Sequence, residues 1–317
     1  MSSRLGKPPV ARKSSTNKQA RTTPKQARAA GWKDPLRPQQ ELVSGKWLLS
    51  ALAVVVVVGA FCAYGTLCLL FYQGSWQLIF HPTHLGAARP SAGFETIQFD
   101  YTETGRPQLT GWWIPAGDGA RYPSKTILYL HDGRGSLSDT APQLDALHRL
   151  GINVFAFDYR GFGASAWERP AEPGMNQDAD AAMAYLTGTR HLPARSIVIY
   201  GVGLGAPIAA ATAERHPETA GLILERVGPD ARTILSADAR TRILPVRLLT
   251  SDRLDASTTL KSLAMPKLFL PGADEGRTQA AFQTAGLPKQ LAPNREADPD
   301  GFLTAIQSFL DGLPARQ

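Results

Sequence analysis

The sequence predicts an α/β domain with a mostly parallel sheet and helices on both faces, preceded by one transmembrane helix. Three observations carry this expectation. From residue 90 onwards, short runs rich in β-branched and aromatic residues alternate with helical patterns, which is how a crossover-connected parallel sheet is written. Between Trp47 and Tyr72 the chain reads WLLSALAVVVVVGAFCAYGTLCLLFY, 26 residues without a charge. The charge is also split. Residues 1–46 hold eleven Lys and Arg against Asp34 and Glu41, a net +9 that leaves −2 for the other 271 residues of a chain whose total is +7.

Taken in order, the chain divides into a basic tail (1–46), the apolar span (47–72) and a folded domain (73–317). The tail is rich in Lys, Arg, Pro, Ser, Thr and Gln with almost no large apolar side chains, so it cannot bury enough surface to offset its chain entropy. Basic arms attract phosphate. Here, however, the block directly precedes a span, and it reads as a topogenic segment that touches anionic lipid rather than as a nucleic-acid-binding arm. At about 1.5 Å per residue, 26 helical residues cross the ~30 Å hydrocarbon core with some tilt. Trp47 and Tyr72 stand where interfacial aromatics stand, and the positive flank is on one side only. That places the N-terminus in the cytoplasm, the anchor in the inner (plasma) membrane and the domain outside, in the periplasm. A cleaved signal peptide fits less well, because the basic stretch is too long and the apolar run exceeds a normal h-region.

Strands are expected at 94–101, 109–114, 126–130, 153–158, 196–200, 221–225 and 267–270, with a short last strand near 290–292. Helices fit between them at 137–150, 176–186, 204–215, 278–285 and 301–310. Residues 228–265 have no regular pattern and read as a lid or helical excursion. Both cysteines, Cys62 and Cys68, lie in the apolar run, so no disulfide framework holds the domain. No metal-ligand cluster stands out, and no cofactor is expected.

Three local motifs follow one another in the domain. Leu130-His131-Asp132-Gly133 closes one buried strand. Phe157-Asp158-Tyr159-Arg160-Gly161-Phe162-Gly163-Ala164-Ser165 closes the next. Tyr200-Gly201-Val202-Gly203-Leu204-Gly205-Ala206 then joins a strand to a helix. With GWWIP before them and HPETAGLILE after, the set resembles the α/β-hydrolase superfamily. Within it the similarity is to the membrane-anchored serine hydrolases of the bud-emergence-protein type, related to dienelactone hydrolases and prolyl oligopeptidases. The resemblance covers roughly residues 75–312 and implies an α/β-hydrolase fold. It also implies a nucleophilic Ser at a sharp strand-to-helix turn, an acid after a later strand, a late His, and an oxyanion hole of backbone N–H groups.

This sequence departs from that pattern at two of the three catalytic positions. Gly201 and Gly205 are the flanking glycines of the turn, so Gly203 stands where the nucleophile belongs. A glycine there removes the nucleophile while relieving a backbone strain of about 1–3 kcal/mol. The last histidine is His216, and none occurs in the final 101 residues. Asp298 takes the place where the resemblance puts the base, and a carboxylate is a poor base for a hydroxyl. The acid position survives as Asp274 or Glu275. Residue type favours the first and spacing from Gly272 the second. Ser136 and Ser165 lie in loops near the expected pocket with no histidine placed to activate them, and His131 belongs to the oxyanion loop. Asp132, Gly133 and Leu204 correspond to that loop and to the N–H after the turn, so an anion or carbonyl could still be held.

The sequence therefore leans away from an enzyme. It reads as a pseudoenzyme, a binding or scaffolding module whose partner is another protein or a small acyl- or ester-like ligand. One alternative is an ester or acyl hydrolase acting through non-standard residues. A second treats Gly201-x-Gly203-x-x-Ala206, with Glu225 ending the next strand, as a dinucleotide-binding fingerprint.

Overall fold

In the computed structural model, residues 44–84, 86, 88–294 and 298–313 are described. Most of the basic tail, 1–43, lies outside them, as do residues 295–297. The first described element, α1 (Gly45–Gly74), is a single 30-residue helix. An 18-residue window of it has mean hydropathy 2.4, and none of that window is buried. It outruns the expected span by two residues at each end.

The domain is organised by eight strands. These are β1 (Glu95–Tyr101), β2 (Pro107–Ile114), β3 (Tyr122–Leu130), β4 (Ile152–Asp158), β5 (Ile197–Val202), β6 (Gly221–Glu225), β7 (Lys267–Leu270) and β8 (Lys289–Leu291). Their order across the sheet is β1-β2-β4-β3-β5-β6-β7-β8. β2 is antiparallel to both β1 and β4, while every pair from β4 through β3 to β8 is parallel. The central strands are near-continuous apolar runs because both of their faces are covered.

Alternation along β3 divides its side chains between two cores. Leu128 and Leu130 join one with Ile199, Leu222 and Phe269, under α3 (Glu172–Ala184) and α4 (Gly205–Arg215). Ile127 and Tyr129 join the other with Val198 and Leu268. This second core lies beneath α2 (Ala141–His148) and α6 (Pro299–Gly312), and α5 (Glu275–Thr284) joins β7 to β8. Full burial of a Leu, Ile or Phe gives roughly 1.5–3 kcal/mol, so these two layers dominate the stability.

The structure corrects several local expectations. The helix expected over 137–150 begins as a 3₁₀ turn, Leu137–Thr140, because Asp139 Oδ2 accepts the Ser136 N–H at 2.8 Å. α3 starts four residues earlier than expected, at Glu172, and its end runs into a π-helical turn, Tyr185–Thr189. The stretch 228–265, by contrast, holds short helices, Ala231–Ala237, Ala239–Thr241, Val246–Leu249 and Ser257–Ser262, in line with the helical excursion expected there. A two-residue parallel bridge, His81–Pro82 with Arg134–Gly135, ties the segment after α1 to the loop after β3.

Candidate functional site

The site lies at the C-terminal ends of β3, β5 and β6, where open α/β sheets place their crevices. β5 is followed by a sharp turn into α4. Gly203 sits on it with φ +57, the left-handed region that glycine occupies without cost. Its N–H donates to the Glu225 carbonyl at 2.9 Å and its own carbonyl accepts the Ala206 N–H at 3.2 Å. The flanking glycines are required by close approach. A Cβ on Gly205 would lie 2.4 Å from the Leu130 carbonyl oxygen, and one on Gly201 2.5 Å from the Ala209 Cβ. This is the geometry of a nucleophile elbow, with glycine at its apex.

The space above that apex is filled from the loop after β3. A Cβ built on Gly203 would stand 2.4 Å from both Cγ and Oδ1 of Asp132. The Asp132 carboxylate thus occupies the volume a nucleophile's side chain would take. Its Oδ1 accepts the Leu204 N–H at 2.9 Å and the Gly133 N–H at 2.7 Å. These are the N–H groups to which the resemblance gives an oxyanion-binding role. Leu204 caps the N-terminus of α4, so the helix dipole adds to the attraction. The Asp132 side chain therefore lies between the loop after β3 and the turn after β5, held by one N–H from each.

The crevice above it is small, about 180 Å³. Leu78, Ile79, Arg134, Gly203, Arg226 and Ile234 are among its lining residues. Pockets that enclose drug-sized ligands are commonly some 300–1,000 Å³. A larger hollow of about 610 Å³, lined by Lys125, Arg195 and Met265 among others, includes none of the residues of the three strand-end motifs.

The remaining candidates do not converge on Gly203. His131 is fully buried, its Nδ1 2.6 Å from the Asp132 carbonyl oxygen and its Nε2 3.9 Å from Asp158 Oδ1. Burial lowers its pKa below the ordinary histidine value, against the opposing pull of Asp158. It packs on Tyr159 and Phe162 and supports the loop from beneath. Ser136 Oγ donates to Asp139 at 3.2 Å. Ser165 Oγ donates to the Asp158 carbonyl and accepts the Thr110 N–H at 2.9 Å. Neither serine has a histidine beside it among the contacts described.

The acid candidates also have structural partners. Asp274 is exposed and 3.4 Å from Arg277. Glu275 Oε1 accepts the Asn294 amide at 2.7 Å. Asp298, in the expected base position, is the N-cap of α6 and accepts the Gly301 N–H at 2.9 Å. Glu225 is buried, and its Oε2 accepts the Tyr200 hydroxyl at 2.6 Å. A carboxylate so engaged is not presented to a ribose, which removes the main support for the dinucleotide reading. Among the described residues no group of three or more His, Cys, Asp or Glu is placed to hold a metal.

Comparisons with known proteins agree with this architecture. Residues 122–237 match the family model for serine aminopeptidase S33 hydrolases. The Mycobacterium tuberculosis protein Rv2307c is 28% identical over 263 residues, 83% of this chain and 91% of that one. The α/β-hydrolase domain-containing protein WAV2 of Arabidopsis thaliana is 32% identical over 120 residues, 37% of this chain and 38% of its own. Among solved structures, the Pyrococcus furiosus esterase Pf2001 superposes with a TM-score of 0.56 at 18% identity. That match covers 74% of this chain and 97% of the esterase. An α/β-hydrolase from Vibrio vulnificus gives 0.52 at 21% identity, covering 67% and 81%.

Proposed function

Because the chain has an α/β-hydrolase fold and residues 122–237 match a hydrolase family model, we propose that it works without covalent catalysis, as a membrane-anchored binding or scaffolding module. One observation carries the reading. The protein's own Asp132 carboxylate takes both oxyanion donors and the side-chain volume over Gly203. An oxyanion hole contributes to catalysis by meeting charge that develops in the transition state. One whose N–H groups already donate to a side chain has none free to meet that charge. The lack of a nucleophile at Gly203 and of any histidine beyond residue 216 points the same way.

The small crevice favours a macromolecular partner that reads the domain's surface over a buried acyl chain. The length and hydropathy of α1 support single-pass anchoring. The one-sided basic flank supports a cytoplasmic N-terminus in the inner membrane, with the domain in the periplasm. A fluorophosphonate probe tests the absence of a nucleophile directly. No labelling of the purified full chain is expected, and stoichiometric labelling would overturn the proposal. Identifying the partner calls for co-purification with the tagged full-length protein.

A further inference from the structure

Segment 243–249 reads Ile243-Leu244-Pro245-Val246-Arg247-Leu248-Leu249, with six of seven positions apolar. Two of its side chains are strongly exposed, Ile243 at 66% and Leu248 at 85%. A lone exposed leucine needs no explanation. This segment is different because of what it touches. The Tyr64 hydroxyl donates to the Ile243 carbonyl at 3.0 Å.

Tyr64 lies deep in the apolar helix. About 20 residues fill the ~30 Å hydrocarbon core. Counted forward from Trp47 that core ends near residue 67, and counted back from Tyr72 it begins near residue 53. Tyr64 is inside the core on either count, so the backbone it touches is inside as well. A hydroxyl at that depth needs a protein acceptor, because lipid tails supply none.

A second contact fixes a shallower level. Arg169 Nη2 donates to the Tyr72 carbonyl at 2.8 Å, and its guanidinium lies 5.7 Å from the Tyr72 ring centroid. Two residues away in the sequence, Trp167 is 77% exposed, and tryptophan is a residue type that collects at membrane interfaces. Arg232, Arg240, Arg242 and Arg247 are exposed around the apolar segment, with Asp238 paired to Arg240. Arg242 and Arg247 also line an open groove of about 490 Å³ with Leu244 and Pro245. Long basic side chains at such a position reach up to anionic headgroups while their stems stay in the apolar layer.

We propose that residues 239–249 form a second membrane contact, immersed in the leaflet beside α1, with Trp167 at the headgroup level and arginines binding anionic lipid. The inference rests on the proposed anchoring by α1 and adds to it a fixed posture of the domain against the bilayer. The crevice lining residue Ile234 lies on the same excursion, so this posture holds that crevice close to the membrane surface.

The test uses the full chain with Cys62→Ala and Cys68→Ala, reconstituted in vesicles of phosphatidylcholine and phosphatidylglycerol. A nitroxide is attached at Leu248→Cys. Reference labels sit at Leu67→Cys in α1 and at Glu103→Cys in the turn between β1 and β2. Collision rates with oxygen and with a water-soluble nickel chelate report depth. The proposal expects the Leu248 label to resemble Leu67, rich in oxygen and shielded from nickel, and to differ from Glu103. A Leu248 label as open to nickel as Glu103, with Leu67 still shielded, overturns the second contact and leaves the anchor intact. Shielding of Leu248 from both reagents means a protein covers the segment, which also overturns it. Nickel access at Leu67 itself removes the anchor, and the second contact with it.

Discussion

Substituting Gly203→Ser probes the contact between the elbow and Asp132. The new Cβ would lie 2.4 Å from the Asp132 carboxyl carbon, so the carboxylate must leave its two N–H donors. Two costs follow. A non-glycine residue at φ +57 costs on the order of 1–2 kcal/mol. Displacing a charge-assisted hydrogen-bonded carboxylate costs about 1.5–3 kcal/mol, reduced because Asp132 is only half-buried and can turn towards water. The sum is roughly 2–4 kcal/mol. A double-mutant cycle separates the two parts, because in an Asp132→Gly background only the backbone cost remains. The expected coupling is about 1–2 kcal/mol. At about 2–4 °C per kcal/mol for a domain of this size, that is a gap of some 2–8 °C in the thermal midpoint of the detergent-solubilised chain. Additive effects, with Gly203→Ser equally harmful with and without Asp132, would refute the claim that the carboxylate occupies the elbow.

Three further expectations are independent of that cycle. Asp298→Ala should lower stability by about 1 kcal/mol through loss of the α6 cap; an unchanged urea midpoint would show that the cap contributes nothing. The buried His131 has its pKa lowered in the fold, so the unfolded chain takes up a proton first as the pH falls through about 6.5. The stability this group contributes is complete above that pH and is lost as the pH drops towards the folded value. Burial pushes Asp178 up to about 6, so that group adds stability on acidification in the same window and the His131 contribution is read as a difference. The urea midpoint should fall more, or rise less, from neutral to mildly acidic pH in the wild type than in His131→Gln; the same pH dependence in both would contradict the assignment. Protease added outside spheroplasts should digest residues 73–317 and spare the basic tail, whereas loss of the tail alone would reverse the orientation.

The strands were legible because a buried parallel sheet demands continuous apolar runs, and β6 and β7 fall on their expected residues, Gly221–Glu225 and Lys267–Leu270. Elements decided by a single side chain were not. The 3₁₀ start at Leu137 depends on where Asp139 turns, and the short helix Trp76–Ile79 has too few residues to show a period. Gly203 could be placed from its flanking glycines alone, since both are forced by backbone approach. The position of the Asp132 side chain could not. It depends on two loops meeting at the end of the sheet, with Asp132 and Leu204 72 residues apart, and the backbone of the β3 loop gives no direction for χ1. The usable signal was the pairing itself, a carboxylate in the oxyanion loop with a glycine at the elbow, each of which makes room for the other. At Asp298, the position that the resemblance matched to a base, the structure shows a carboxylate that caps a helix.

The most direct test of the central claim is steady-state turnover of p-nitrophenyl butyrate by the full-length protein and by an Asp132→Ala/Gly203→Ser variant. The double change empties the hole and supplies a hydroxyl, yet leaves no base to activate it. Neither protein should exceed the rate of a heat-denatured control. Turnover by the wild type that is lost when Asp274 or Glu275 is replaced would contradict the account and establish a hydrolase working through other residues.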